Sequence, residues 1–272
     1  MPGRSDTMSV PMATSIMAEW FTSFGERCSA PMSMFCFPYV GGGPAAFRAW
    51  AEYFRDRVNV QALQLPGHER RLTDQSLVDS LAGLVDLVAP AFEYFDTPFV
   101  FFGHSMGGLI AFELIRELRR RGWPTPLMLF ASACSAPQIP DYVVPPRSTL
   151  SEQEIVTELR RLNGTDEAVL ENEVLRSLLL PSLRADFNIV DRYRYCEDIP
   201  LDCPIVTFGG IHDPGISVEM LAGWQLQTTT SFELQMFNGD HFYLNGCRDK
   251  LLKSISRELA RCDHSRSVTY QS

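Results

Sequence analysis

Short, almost uninterrupted apolar runs alternate along this chain with stretches whose apolar residues recur every three or four positions. Residues 33–37, 99–102, 127–131 and 203–208 are of the first kind and read as core strands, and 58–65 and 232–237, where polar residues interrupt the apolar ones, read as strands too. Residues 45–57, 77–95, 106–121 and 250–262 are of the second kind and read as helices. In 106–121, Leu109, Phe112, Ile115 and Leu118 keep helical spacing, arginines gather at the end, Gly122 is placed to cap it and Pro124 blocks continuation. Strands and helices alternating at this rhythm predict a mostly parallel central sheet flanked by helices on both faces.

The rhythm breaks between about 135 and 201. Pro145 and Pro146 lead into Ser151 and Glu154, spaced as a capping box. Three helical segments are expected there, at 151–162, 166–179 and 181–195, with Pro181 in the first turn of the third. A helical insertion in an alternating sheet is most simply a lid over the strand ends. The chain then divides into a flexible extension at 1–17, one domain at 18–262 carrying the lid at about 135–201, and a frayed tail at 263–272.

Composition narrows the class. A length of 272 residues suits one large domain, and 45% hydrophobic content supplies its core. A net charge of −9 argues against nucleic acid as partner, since phosphate neutralisation needs clustered positive charge. No apolar run is long enough to span a bilayer, and 1–17 hold no sustained hydrophobic segment of the secretory kind. Seven scattered cysteines without a C-x-x-C pair fit a reducing cytoplasm and no zinc site.

Chemistry enters at Gly103, His104, Ser105, Met106 and Gly107, a G-x-S-x-G pattern with a strand before it and a helix after it. That context makes a nucleophile elbow, in which a sharp turn lifts the serine above the sheet edge at the positive end of a helix. A serine hydroxyl needs a base, and the base an orienting acid, which follow in the order Ser, Asp or Glu, His. Of the five histidines, His68 precedes the serine, His104 lies within the elbow, His264 sits in the tail and His212 adjoins an acid candidate. His241, in a turn after the last strand, is the preferred base. Asp213, directly after the penultimate strand, is the preferred acid over Asp240, Asp198 and Asp202. The glycine-rich loop at 38–44 lacks a phosphate-binding pattern and is placed to supply an oxyanion N–H, with a second from the residue after the serine.

The chain resembles the type II thioesterases of polyketide and nonribosomal peptide synthesis, members of the α/β-hydrolase superfamily. The resemblance is carried by 37–42, Phe47 with Trp50, 64–67 with Arg71, 102–107, Phe112 with Glu113, 162–165, 180–187, Gly210 with Asp213, and 239–242. It implies an α/β-hydrolase fold with Ser105 as nucleophile, Asp213 as acid, His241 as base, and the backbone N–H groups of Val40 and Met106 as oxyanion hole. It also implies a carrier protein bearing acyl-phosphopantetheine as partner, proofreading release of stalled acyl groups, and no metal or dissociable cofactor; a monomer is expected. Val40 and Gly43 with Pro44 stand where the family more often has alanine and serine, which leaves the backbone donors intact. A carboxylesterase, lipase or acyltransferase on the same scaffold, or a catalytically silent carrier-binding module, are the alternatives.

Overall fold

The computed structural model describes residues 9–24, 30–74, 76–139 and 145–269, with side chains to Arg261. Its strands are β1 (Phe21–Ser23), β2 (Ser33–Phe37), β3 (Asn59–Leu63), β4 (Phe99–His104), β5 (Leu129–Ser132), β6 (Ile205–Gly210) and β7 (Phe232–Phe237). They form one sheet in the order β1-β3-β2-β4-β5-β6-β7, parallel throughout except for β1 against β3. The helices are α1 (Val10–Trp20), α2 (Arg48–Phe54), α3 (Leu81–Val88), α4 (Met106–Arg121), α5 (Glu152–Leu162), α6 (Glu167–Glu171), α7 (Glu173–Asp191), α8 (Val218–Ala222), α9 (Tyr243–Gly246) and α10 (Arg248–Thr269).

Alternation within the strands sorts the core into two layers. Phe35, Phe37, Phe99, Phe101, Leu129 and Ile205 face α3 and α4 in one layer. Met34, Cys36, Val100, Phe102, Phe130 and Val206 face α2 and α10 in the other. Phenylalanines dominate the first layer and meet edge to face, as Phe35 does with Phe92 at a centroid separation of 4.7 Å. After β2 the chain turns to β3 on one side, and after β4 it turns to β5 on the other. The ends of β2 and β4 therefore form a topological switch point, where open α/β sheets place their sites. Ser105 follows β4, and the glycine loop follows β2.

Several boundaries differ from the sequence expectation. Residues 10–17, expected in a flexible extension, begin α1, which is held by burial of Ala13 and Trp20. Trp20 lies under the Arg71 guanidinium at 5.0 Å, and its carbonyl accepts from the N–H of Gln64 at 2.7 Å. The expected helix at 77–95 is α3 followed by a 3-10 turn at Ala89–Phe92, because Pro90 lacks the N–H that an α-helix needs. The helix expected at 45–57 is likewise a 3-10 turn at Pro44–Phe47 and then α2. The closing helix runs on to Thr269, beyond the expected end at 262.

In the insertion between β5 and β6, α5 matches expectation and its capping box is complete, with Ser151 and Glu154 exchanging backbone and side-chain bonds. The break expected before Pro181 is absent: α7 is continuous from Glu173 to Asp191 with the proline inside it. Its neighbours Leu179, Leu180, Leu183 and Phe187 pack into an apolar cluster with Ile155, Leu159 and Leu170. That packing on both sides of the proline offsets the one missing helix bond, which costs about 3 kcal/mol.

Candidate active site

Ser105 sits between β4 and α4 with φ 54° and ψ −120°. A side chain in that region costs of order 1–3 kcal/mol, which the surrounding structure must enforce. Enforcement comes from two glycines that let backbones touch. A Cβ on Gly103 would lie 2.1 Å from the carbonyl oxygen of Gly107, and one on Gly107 would lie 2.0 Å from that of Phe37. The Ser105 N–H donates to the Ser132 carbonyl at 2.8 Å, fixing the turn against β5.

His241 follows β7 and Asp213 follows β6, and Nδ1 of the imidazole lies 2.7 Å from Oδ2 of the carboxylate. Their side chains are only 6% and 1% exposed. The other carboxylate oxygen of Asp213 accepts from the N–H groups of Gly215 at 2.8 Å and Ile216 at 3.1 Å. Burial pushes this carboxyl upward, but the bond to His241 and the two amides outweigh it and hold the pKa below the ordinary aspartate value. With Nδ1 engaged by Asp213, Nε2 is the other ring nitrogen of a histidine that lines the same cavity as Ser105. The loop carrying His241 crosses directly over β6, since a Cβ on Gly210 would meet the Asp240 carbonyl at 2.1 Å. Asp240 itself caps the turn, with its carboxylate accepting from the Phe242 N–H at 2.8 Å and from Asn163 Nδ2 at 2.9 Å.

Ser105, His241, Val40 and Met106 all line one cavity of about 720 Å³. Met106 opens α4, so its N–H is one of the helix-terminal donors without an intrahelical acceptor. The insertion supplies apolar lining through Leu159, Val169, Leu179 and Phe187. Among the described residues, no cluster of His, Cys, Asp or Glu could hold a metal ion. No described helix is long and apolar enough to cross a membrane.

Comparison with known proteins decides the family. Residues 32–259 match the thioesterase domain model. The chain belongs to the thioesterase family. It is 39% identical to the gramicidin S biosynthesis protein GrsT of Aneurinibacillus migulanus, over 89% of this chain and 94% of that one. It is also similar to RedJ, a thioesterase of the prodiginine pathway in Streptomyces coelicolor, at 39% identity and a TM-score of 0.78, covering 85% and 91% of the two chains. The type II thioesterase BorB of the borrelidin cluster matches at 32% identity and a TM-score of 0.80, over 88% and 97%. These relatives are matched over nearly their whole length, and the mostly parallel sheet flanked by helices is the α/β-hydrolase fold that the motif resemblance implies.

Among the described side chains, no other histidine of this thioesterase bonds to Asp213. His212 is exposed, and His264 lies outside the described side chains. His104 is fully buried, with Nδ1 2.8 Å from Ser132 Oγ, which in turn lies 2.6 Å from the Tyr243 hydroxyl. Its ring centroid is 5.3 Å from that of His241. Burial, and then the nearby His241, drive the His104 pKa well below the ordinary histidine value, so this chain behind the base is neutral. His68 pairs with Asp186 of α7 at 3.0 Å. Position in the chain sets His68 and His104 aside as bases and marks Asp186 only as part of the lid segment. No local spacing could have joined residues 118 apart.

Proposed function

We propose that this thioesterase hydrolyses acyl thioesters borne on the phosphopantetheine arm of a carrier protein, through an acyl-Ser105 intermediate. The observation that carries the reading is the 2.7 Å contact of His241 with Asp213, in the cavity that the strained Ser105 also lines. Nε2 of His241 takes the Oγ proton as Oγ bonds to the thioester carbon, and the carbonyl electron pair moves onto oxygen. The N–H groups of Val40 and Met106 hold that oxyanion, each such donor being worth on the order of 3 kcal/mol. The C–S bond then breaks; a thiol of pKa about 8.5 leaves readily as thiolate and ends with the proton His241 carries. Water, activated by the same imidazole, releases the acid and restores Ser105.

The insertion between β5 and β6 acts as the lid, its apolar helices roofing the cavity over the acyl chain. The names of the relatives, from gramicidin S, prodiginine and borrelidin biosynthesis, support a carrier protein as donor and removal of stalled acyl groups as the task. Mass spectrometry of a panel of carriers loaded with different acyl groups, run beside oxygen esters of the same acids, tests the reading. Faster release from the carriers is expected. Faster cleavage of the oxygen esters would instead make the protein a carboxylesterase on this scaffold.

A further inference from the structure

Asp186 and His68 form a buried charge pair outside the catalytic dyad, with side chains 3% and 4% exposed. The ring of His68 has two partners: Asp186 Oδ2 at 3.0 Å from Nε2 and the Pro66 carbonyl at 3.0 Å from Nδ1. A carbonyl and a carboxylate only accept, so both ring nitrogens must donate and His68 is an imidazolium. Burial is the largest single influence and lowers the pKa of His68, but the charge and hydrogen bond of Asp186, the Pro66 carbonyl and the charge of Glu69 together outweigh it and raise the pKa above the ordinary value.

The same Oδ2 of Asp186 also accepts from the Gly41 N–H at 2.8 Å. Gly41 occupies the third position of a tight turn, closed by the Gly42 N–H on the Tyr39 carbonyl at 2.8 Å, and its φ is +75°. These are the marks of a type II turn, whose central peptide joins Val40 to Gly41. Flipping that peptide toward type I would swing the Val40 carbonyl toward the carboxylate, so the negative charge selects the observed orientation. Leu183, one turn before Asp186 on α7, closes over the same glycine, where a Cβ would meet its Cδ2 at 2.8 Å. The side chain of Val40 packs against the apolar cluster of the insertion. The chain on the near side of Val40 is already held by β2 and by the close approach of Gly107 to Phe37.

We propose that Asp186, held in place by His68, is a positioning residue that fixes the Val40 turn so that its N–H meets the oxyanion, making α7 a support of the catalytic site. The inference rests on the assignment of Val40 as an oxyanion donor. It predicts damage confined to states that carry the oxyanion. A trifluoromethyl ketone bearing a pantetheine-like tail probes such a state: Ser105 Oγ bonds to the ketone carbon, its proton passes to His241 and the ketone oxygen becomes the anion. The thioether of the same tail probes ground-state binding alone.

Wild type, Asp186→Ala, the isosteric Asp186→Asn and His68→Gln are compared for affinity to both probes and for kcat and KM on a thioester. Asp186→Ala is expected to lose about 100-fold in kcat and in ketone affinity, on the scale of one oxyanion donor. Asp186→Asn and His68→Gln, which keep part of the arrangement, are expected to lose about tenfold, on the scale of a weakened rather than absent donor. Thioether affinity and KM should stay within about twofold in all three, since neither state carries the oxyanion. Should Asp186→Ala fail to fold, the asparagine variant decides. Parallel weakening of both probes would show a merely structural role and overturn the proposal, as would wild-type ketone affinity in Asp186→Asn. Failure of wild type to form the ketone adduct at Ser105 would instead count against the catalytic reading itself.

Discussion

The space where Gly107 would carry a side chain is filled by the carbonyl oxygen of Phe37, 2.0 Å from an ideal Cβ. The elbow helix and the strand that leads to the glycine loop are thus in backbone contact, which brings Ser105 and the Val40 turn to one point. Gly107→Ala should force these elements apart, cost about 3 kcal/mol and lower Tm by ~6–12 °C, with activity down at least 100-fold on the scale of one lost oxyanion donor. Gly122→Ala is the control: its φ is also positive, at +69°, but nothing lies within 4 Å of its Cβ position. It should cost about 1 kcal/mol and leave kcat unchanged. Thermal melts and steady-state kinetics of the two variants check this, and equal effects would contradict it.

The two aspartates near His241 separate by geometry. Asp213 meets the imidazole, whereas Asp240 bonds a backbone amide and Asn163 of the insertion. Asp213→Asn should lower kcat by ~10³–10⁴-fold through loss of the working tautomer. Asp240→Asn and Asn163→Ala, which remove one exposed tie of about 1 kcal/mol, should cost less than about tenfold. Kinetics on one thioester rank the three, and a worse result for Asp240→Asn would reverse the assignment of the acid.

The elements and residues legible in the sequence share a cause. β4, α4 and Ser105 are adjacent in the chain, and the order Ser105, Asp213, His241 follows from strand order, so local pattern and topology suffice. α1 is not evident from the sequence because its inward face, Ala13, Ile16, Met17 and Trp20, is short and set among small and polar residues, and β1 is just three residues long. Pro181 misled because a proline favours helix starts, while burial of the leucines around it carries α7 straight through. The contact of Asp186 with His68 and Gly41 joins three separate segments and has no signature before folding. Rules of chain order set His68 aside as a base and give no hint of its partner Asp186.

Two buried histidines give opposite pH signatures. His68 is raised, so its pair stabilises the fold fully below the unfolded pKa of about 6.5 and the contribution is lost as pH rises through the folded value. His104 is lowered, so stability falls below about pH 6.5, where the unfolded chain takes up a proton that the native state refuses. The charged groups around His68 are Asp186 and Glu69, with the Glu152–Arg176 pair beside the small cavity it lines. Relative to wild type, His68→Gln should lose more stability at pH 6 than at pH 9, and His104→Gln should fare relatively better at pH 5.5 than at pH 8. Melting curves across that range check the signs; a pH-independent difference for His68→Gln would refute the charged pair.

The central claim is that Ser105 takes the acyl group from a carrier-bound thioester. Rapid quench of the enzyme with a loaded carrier, followed by intact-mass measurement and peptide mapping, tests it most directly. A transient acyl adduct on the peptide containing Ser105 is expected, and Ser105→Ala should lack the adduct and lose at least ~10⁴-fold in turnover while keeping its fold. Cys134 lines the same cavity and is the obvious competitor. An adduct mapped to Cys134, or undiminished turnover in Ser105→Ala, would contradict the account.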